Sequence, residues 1–265
     1  MQLDPHLLED IENPIHPSDF VPSQGYTILI LRLPQLRDKG LEVHSYAFVV
    51  EGERCYRYDR EHAKLREMGS LSDMNLFLDE RTDRLMKDIQ HYHFQIEELE
   101  ESLYEDRRDP LFMQRWLSYK KEVSLIHRLM FHAALSFELF INYHKRHHTF
   151  QELAYADLYE HMVRIRDLAK SAMEKLDNLY DFYRAKVDER MNRNVYYLTL
   201  LSGIFLPLTL ITGFFGMNTG GLPWSDDPHG TLKVILVSAL LELLFLLPIV
   251  WLNSRKIERF RPKSR

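Results

Sequence analysis

Two long apolar runs dominate the C-terminal part of the sequence. The first, Val195–Phe215, carries no charge and is about 21 residues long, the length that spans the hydrocarbon core of a bilayer. The second, Leu232–Leu252, has a similar length and contains only two charged residues, Lys233 and Glu242. We therefore predict that both runs are transmembrane helices and that residues 216–231 form the loop between them.

The segment before these runs has the composition of long helices. Between Ser70 and Ser202 there is no glycine and a single proline, Pro110, and Leu, Glu, Arg and Lys are frequent. The breaks predict helices near Asp79–Glu105, Leu111–His147 and Glu152–Phe215. The third helix would continue from a soluble stalk into the first span over about 90 Å, at 1.5 Å per residue. Because so long a helix needs neighbours, we expect an oligomeric stalk.

The first 70 residues are richer in glycine and proline than the helical segment. β-Branched and aromatic residues predict strands at Tyr26–Leu33 and Val43–Val50, with Cys55–Tyr58 as a candidate third strand. The sequence thus predicts a mainly α-helical membrane protein. Its expected domains are a small N-terminal cytosolic α/β region (1–78), a cytosolic helical and stalk region (79–194), the transmembrane domain (195–252) and a basic cytosolic tail (253–265).

Basic residues flank both apolar runs and are absent from the loop between them. They cluster from Arg184 to Arg193 and again after Arg255, whereas the loop carries Asp226 and Asp227. By the positive-inside rule, we expect both termini in the cytoplasm and the short loop outside, with the chain in the cell (inner) membrane.

Composition narrows the class of protein further. The start, MQLDPHLLED, lacks the basic and apolar regions of a secretory signal, so none is expected. Cys55 is the single cysteine, which excludes an internal disulfide and suits a reducing compartment. The net charge of −5, combined with a basic tail, leaves an acidic body that repels nucleic acid and attracts cations. No catalytic motif stands out, so we expect neither an enzyme nor a catalytic cofactor.

A polar stripe follows the predicted stalk and first span at alternating three- and four-residue steps, which place residues on one helix face. Its members are Asp181, Asp188, Asn192, Val195, Thr199, Ser202, Leu206, Thr209 and Gly213. A lipid-facing stripe would be apolar, so this face contacts protein or water. Helix packing through small residues is one explanation. The other is a gated cation pore, because polar rings alternate with apolar constrictions, and hydroxyl and amide oxygens suit a hydrated ion such as Mg²⁺.

The loop and the second span add further candidate residues. The C-terminus of the first span would lie at the outer mouth, where the negative end of the helix dipole favours cations. Asp226 and Asp227, repeated around an oligomer, would form an outer acidic ring. Glu242 is an intramembrane carboxylate, for which proton coupling, a polar contact between helices and no function are all open.

The end of the first span carries a tripeptide with high specificity at this position. Gly216-Met217-Asn218, two helices from a basic C-terminus, resembles the CorA-type divalent metal ion transporter superfamily. Supporting matches are Tyr197, Pro207, Thr209 and Gly213. The resemblance covers both spans and the stalk and is weak over residues 1–70. It implies a funnel-shaped homopentamer with two transmembrane helices per subunit, in which the first span lines a central pore.

Carried over residue by residue, the resemblance implies a selectivity filter at the outer mouth formed by Gly216, Met217 and Asn218. It implies a pore lined by Asn192, Val195, Leu198, Ser202, Leu206, Thr209 and Gly213. Asp181 falls where the family has a cytosolic metal carboxylate, and Asp188 on the same stripe is a second candidate metal ligand.

Two features depart from the family's usual pattern. The α/β region is shorter than is usual, which puts the family's cytosolic metal-sensing gate in question. The sequence after the tripeptide, Thr219–Pro223, is closer to the zinc-transporting branch. The histidine clusters His91/His93 and His144/His147/His148 also suit Zn²⁺. Packing or surface roles are favoured for them, because no acid or cysteine completes a zinc spacing.

The sequence therefore predicts a transporter or channel for a divalent cation, Zn²⁺ or Mg²⁺, whose partners are further copies of itself, the lipid bilayer and the metal ion. The alternative is a non-conducting scaffold or metal sensor of the same architecture.

Overall fold

The computed structural model describes residues 3–37, 40–105, 109–146, 150–217, 221–224 and 226–259, without the side chains of 245–246 and 248–259. The chain divides into two compact units, Met1–Tyr183 and Arg184–Arg265. The boundary falls inside one continuous helix. The expected mainly helical architecture with an N-terminal α/β region is confirmed.

The first unit contains a five-stranded antiparallel sheet whose strands follow chain order. The strands are β1 Asp19–Pro22, β2 Thr27–Arg37, β3 Gly40–Glu51, β4 Arg54–Asp59 and β5 Lys64–Ser70. β2 pairs with β3 from Thr27 opposite Val50 to Arg37 opposite Gly40. A short helix, α1 Pro5–Glu12, precedes the sheet.

Apolar side chains cover this sheet on both faces. Ile28 and Ile30 pack with Ile11 of α1 on one face, whereas Leu29 and Leu31 join the helical core on the other. Neighbouring residues of a strand point to opposite faces. A continuous apolar run such as that of β2 is therefore what a doubly covered strand requires.

Three long helices complete the first unit and lead into the second. They are α2 Leu71–Tyr104, α3 Phe112–His144 and α4 Glu152–Phe215. The buried residues of α4 repeat at three- and four-residue steps and are Tyr155, Leu158, Met162, Ile165, Ala169, Ala172, Leu176 and Leu179. We call this set the buried row. The row ends just before the boundary between the two units.

Polar side chains of α2 and α3 also hold α4 by its backbone. Trp116 Nε1 donates to the Leu176 carbonyl at 2.7 Å, and His93 Nε2 donates to the Leu168 carbonyl at 3.1 Å. Lys120 Nζ lies 2.7 Å from the Asp177 carboxylate. These bonds fix the rotation of α4 as well as its distance from the other helices.

The bounds of α4 agree with the prediction at both ends, but other elements differ. α2 begins at Leu71 instead of Asp79, because Ser70 and Asp73 form a capping box in which the Ser70 amide donates to Asp73 Oδ2 at 2.8 Å. α3 ends at His144, and the predicted end, His147, lies outside the described residues. β1, β5 and α1 were not predicted.

The second unit contains the remainder of α4 and a last helix, α5 Gly230–Arg259. The two predicted apolar runs thus both lie in helices, and α5 extends beyond the expected Leu232–Leu252 at both ends. Within α4, Pro207 lies in the helix interior.

The buried row gives a direct test of this packing. Leu176→Ala removes a fully buried side chain and should lower the free energy of unfolding of the first unit by about 2–5 kcal/mol. The measurement is thermal or denaturant unfolding of the full chain in detergent. Leu153→Ala on the same helix is the matched control, because Leu153 is 86% exposed, and a change within about 0.5 kcal/mol is expected. Equal losses in the two variants would contradict the described packing.

Candidate cation pathway

Side chains of α4 lose their cover beyond Tyr183. Nearly every residue from Arg184 to Thr199 is exposed in the single chain. By length and composition, two described helices could cross a membrane, α3 and α4. The apolar window of α3 is 44% buried against its own unit, whereas that of α4 is 0% buried. We conclude that α3 is a core helix and that the apolar part of α4 needs another apolar environment.

The two helices of the second unit each have one partly covered face. On α4 this face comprises Leu200, Ile204, Pro207, Leu208, Ile211 and Phe215. On α5 it comprises Val234, Ser238 and Glu242, at four-residue steps. The remaining described apolar residues of α5 are largely exposed, as at Leu240 and Leu244. This is the pattern expected of two neighbouring apolar helices with little else around them.

The polar stripe lies on the opposite side of α4 from the partly covered face. At about 100° per residue, Val195, Thr199, Ser202, Leu206, Thr209 and Gly213 centre about 180° away from it. All six residues are exposed in the single chain, and Leu206 is 74% exposed. Leu198 lies at the edge of the same side and is also exposed. A solvent channel or a second protein surface is therefore free to occupy this side.

The hydroxyl groups of the stripe are bonded to their own helix. Thr199 Oγ1 donates to the Val195 carbonyl at 2.9 Å, and Ser202 Oγ donates to the Leu198 carbonyl at 2.9 Å. Thr209 Oγ1 donates to the Phe205 carbonyl at 2.7 Å. Each donor is satisfied inside the helix, which leaves the oxygen lone pairs free to accept from water or to face a cation.

At the end of α4, the backbone of Gly216 lies close to the backbone of the preceding turn. The Gly216 amide donates to the Thr212 carbonyl at 2.9 Å. A Cβ added at Gly216 would lie 2.9 Å from that carbonyl oxygen, so a larger residue would have to move the turn. Met217 follows and is exposed. Asn218, the predicted selectivity residue, lies outside the described residues.

The two loop aspartates differ in their surroundings. The Asp227 carboxylate forms an ion pair with Lys233 and accepts the His229 amide at 2.8 Å. The bond from Lys233 lowers the pKa of Asp227 below its ordinary value. Asp226 is exposed. Of the predicted outer acidic pair, Asp227 is thus engaged by Lys233, and Asp226 is the more exposed.

Glu242 lies on the partly covered face of α5. Both of its carboxylate oxygens are buried without a hydrogen-bond partner among the described residues. An ionised carboxylate in that position is costly. A partner for this carboxylate would therefore come from outside the described residues of the single chain.

The N-terminal part of the predicted stripe is exposed, and its acidic members belong to neither ligand cluster found among the described residues. Asp181, Asp188 and Asn192 all face solvent in the single chain. A group that the sequence did not predict is Asp79, Asp83 and His161, whose ligand atoms lie within 4.8 Å of one another. The i,i+4 spacing of the two aspartates is visible in the sequence, but nothing in it pairs α2 with α4.

The predicted histidine clusters separate into different roles. His144 is buried, and its Nε2 lies 3.0 Å from Thr27 Oγ1. His93 bonds the backbone of α4, as described above, and His91 is exposed. His147 and His148 lie outside the described residues. For His93 and His144 the structure supports the packing role that the sequence favoured.

Fold and site together define a class of protein: an α/β and helical body whose last long helix continues into an apolar region followed by one more apolar helix. The profile of "CorA-like Mg2+ transporter protein" matches residues 1–256, nearly the whole chain. The chain therefore belongs to the CorA-like Mg²⁺ transporter family.

The chain is also similar to individual proteins that are described as metal transporters. The divalent cation transporter CmaX of Pseudomonas aeruginosa is 42% identical over 57 residues, which are 22% of this chain and 17% of CmaX. The zinc transport protein ZntB of Pectobacterium atrosepticum is 38% identical over 87 residues, 30% of this chain and 27% of ZntB. The chain thus matches less than a third of either relative.

A solved structure shows the same fold. The CorA magnesium transporter of Methanocaldococcus jannaschii superposes with a TM-score of 0.74, covering 92% of this chain and 82% of that one, at 17% identity. The relatives named here are described as transporters. None is described as an enzyme.

Proposed function

We propose that this protein is a transporter or channel for a divalent cation, Zn²⁺ or Mg²⁺, that works as a homopentamer in the cell (inner) membrane. In this proposal α4 and α5 are the two transmembrane helices of each subunit. Residues 1–78 and 79–194 form the cytosolic body of a funnel, 195–252 form the transmembrane domain, and 253–265 form a cytosolic tail. The number of copies rests on the family resemblance.

The position of the polar stripe is the observation that carries the proposal. It lies on the side of α4 opposite the partly covered face, and it is open in the single chain. Copies of α4 arranged around an axis would bring these sides together. The pore would then be lined by Asn192, Val195, Leu198, Ser202, Leu206, Thr209 and Gly213, with Gly216, Met217 and Asn218 at its outer mouth.

The lining chemistry suits an ion that keeps much of its water. The stripe offers hydroxyl and amide oxygens and, within the span, no charge. Mg²⁺ dehydrates reluctantly and usually retains several waters, and neutral oxygens bind such a shell without stripping it. Val195 and Leu206 supply apolar rings, at which dewetting can close a pore. Asp226 at the mouth and Asp181 and Asp188 at the cytosolic end would attract cations.

The membrane potential is sufficient to drive entry. Each elementary charge gains about 2.3 kcal/mol per 100 mV, so a divalent cation gains about 4.6 kcal/mol on entering an inside-negative cell. No nucleotide hydrolysis is needed. The alternative, a non-conducting scaffold or metal sensor, does not need a polar stripe that is kept clear of the partly covered face.

We expect that Thr209→Val slows cation uptake severalfold, because it replaces the lining oxygen by a methyl group of similar size. The measurement is uptake into proteoliposomes that contain a Mg²⁺- or Zn²⁺-sensitive dye. Thr212→Val is the matched control: Thr212 bonds the Leu208 carbonyl at 2.9 Å in the same way, but it lies off the stripe.

Asn218→Ala should abolish uptake or broaden its selectivity. If the parent chain carries neither ion while a control transporter is active, the proposed function is wrong. If the two threonine changes have equal effects on uptake, the assignment of Thr209 to the pore lining is wrong.

The expected topology is testable by cysteine labelling. Cys55 is buried, and burial raises the pKa of its thiol to about 12, so the natural thiol stays protonated and gives little background at pH 7–8. Asp226→Cys should react with a membrane-impermeant maleimide in intact cells. Arg184→Cys should react only after permeabilisation. The reverse result would show that the positive-inside assignment is wrong.

Glu242 gives a separate prediction about coupling. If its buried carboxylate carries a proton during transport, a pH gradient should change Zn²⁺ or Mg²⁺ flux through the parent chain. Glu242→Gln should remove that dependence while retaining flux in the absence of a gradient. Flux that ignores pH in both proteins would leave Glu242 with a packing role only.

A further inference from the structure

Helix α3 presents a row of large apolar side chains on the surface of the first unit. Phe131, Leu135, Leu139 and Tyr143 follow one another at four-residue steps and are between 42% and 50% exposed. These steps keep them on one side of the helix, about 180° from the buried side that carries Phe137. We call the four residues the outer row. Apolar side chains exposed in series on one face mark a contact surface.

An open groove runs beside the outer row, between α3 and the edge strand β1. Its volume is about 630 Å³, and its lining comprises Phe20, Pro22, Leu139, Asn142, Tyr143 and Arg146. The Phe20 ring packs against that of Tyr143, with 5.7 Å between centroids. The outer row therefore continues into a concavity that can receive side chains of a partner.

The charged residues around the outer row are mainly basic. Arg128, Lys145 and Arg146 are exposed, and Lys145 bonds the Asn142 side chain at 2.7 Å. None of the three bases forms an ion pair with a carboxylate in the described part of the chain. Between Arg128 and Arg146 the sequence has one acidic residue, Glu138. The outer row thus lies among positive charges that the single chain leaves unpaired.

A second surface, formed by α2 and α4, has the opposite charge. Asp79, Asp83 and Asp157 gather around His161, close to Leu76, which is 69% exposed. His161 lies 3.8 Å from Asp79 and 4.0 Å from Asp157. No lysine or arginine among the described residues forms an ion pair with these three aspartates. We call Leu76 and the three aspartates the acidic surface.

Both surfaces lie at the same height along the first unit. The Phe137 ring stacks on that of Tyr155, with 5.7 Å between centroids, so the middle of the outer row lies level with the start of α4. Asn75 Nδ2 donates to the Ala154 carbonyl at 3.2 Å, so the acidic surface begins at the same turn of α4. A rotation about an axis that runs along α4 leaves these heights unchanged. Such a rotation can bring the outer row of one copy opposite the acidic surface of the next.

We propose that the outer row of each subunit docks against the acidic surface of a neighbouring subunit. The ring of copies around the pore is that of the proposed function, on which this contact rests. Head-to-tail contacts generate a closed ring, in which every subunit uses two different faces. The contact removes the outer row and Leu76 from water, and it brings unpaired bases towards unpaired acids.

The test is cross-linking between two single-cysteine variants, Leu135→Cys and Asp83→Cys, which are coexpressed with tags of different length and purified in detergent. The natural Cys55 is buried and reacts little. A short bismaleimide should join the two variants into a dimer that carries both tags. Each variant alone should stay uncross-linked, because neither surface meets its own copy in a head-to-tail ring.

The matched control is the pair Leu135→Cys and Phe94→Cys. Phe94 is 58% exposed on α2, but it lies about 16 Å further along the helix than Asp83, at 1.5 Å per residue. This pair should give no mixed dimer. Equal yields from the test pair and the control pair would overturn the proposal, as would no dimer from the test pair or dimers from Leu135→Cys alone.

A charge change in the Leu135→Cys chain tests the choice of the acidic surface. Leu139→Glu places an acid opposite the aspartates and should lower the yield of the mixed dimer at least about threefold. Leu139→Lys removes the same apolar side chain but adds a base, so it should retain more of the yield. Equal losses in the two variants would contradict the acidic partner surface.

Cross-linking needs no ion flux, so this contact and the proposed function can fail separately. Cation flux in a chain whose test pair gives no mixed dimer would overturn the contact and leave the proposed function standing. A mixed dimer in a chain that carries neither ion would support the contact, although the proposed function would be wrong.

Discussion

Packing of α4 against α2 and α3 along the buried row is the interaction on which the rest of the structure depends. It joins the sheet-bearing unit to the start of the apolar helix, and side-chain bonds to the α4 backbone fix the rotation of the helix. Ring contacts with α2 and α3 continue as far as Tyr183, and beyond it the same helix continues with nearly all its side chains exposed in the single chain. It can do so in lipid because a helix satisfies its own backbone groups. The single helix α4 thus packs into a protein core in its first part and presents an apolar surface in its last part.

How much the sequence could predict depended on how local the signal was. The bounds of α4 followed from a segment without helix breakers, and the face of the polar stripe followed from helix geometry alone. The start of α2 could also have been found, because Ser70 and Asp73 have the capping-box spacing. β1 has only four residues and β5 is mostly polar, so both depend as strands on pairing with β2 and β4 and on packing of Phe20 and Met68 against the helical core.

Candidate sites built from distant segments were beyond sequence reasoning. Asp79 and His161 meet only because α2 lies beside α4. No periodicity relates such residues. Asp227 and Lys233, by contrast, are only six residues apart at the start of α5. Their closeness was visible in the sequence, but that spacing has no pattern that predicts an ion pair.

Pro207 has a mechanical consequence for the second unit. Proline has no amide hydrogen, so the Gly203 carbonyl, four residues earlier, loses its helical partner, and the ring crowds that carbonyl. Resistance to bending is therefore lowest between Ser202 and Thr209. The two hydroxyl layers lie on either side of this weak point. In the proposed pore, a tilt of the C-terminal half of the helix would move the Thr209 layer relative to the Ser202 layer, so the width of the proposed pathway would change at one level while the other stayed fixed.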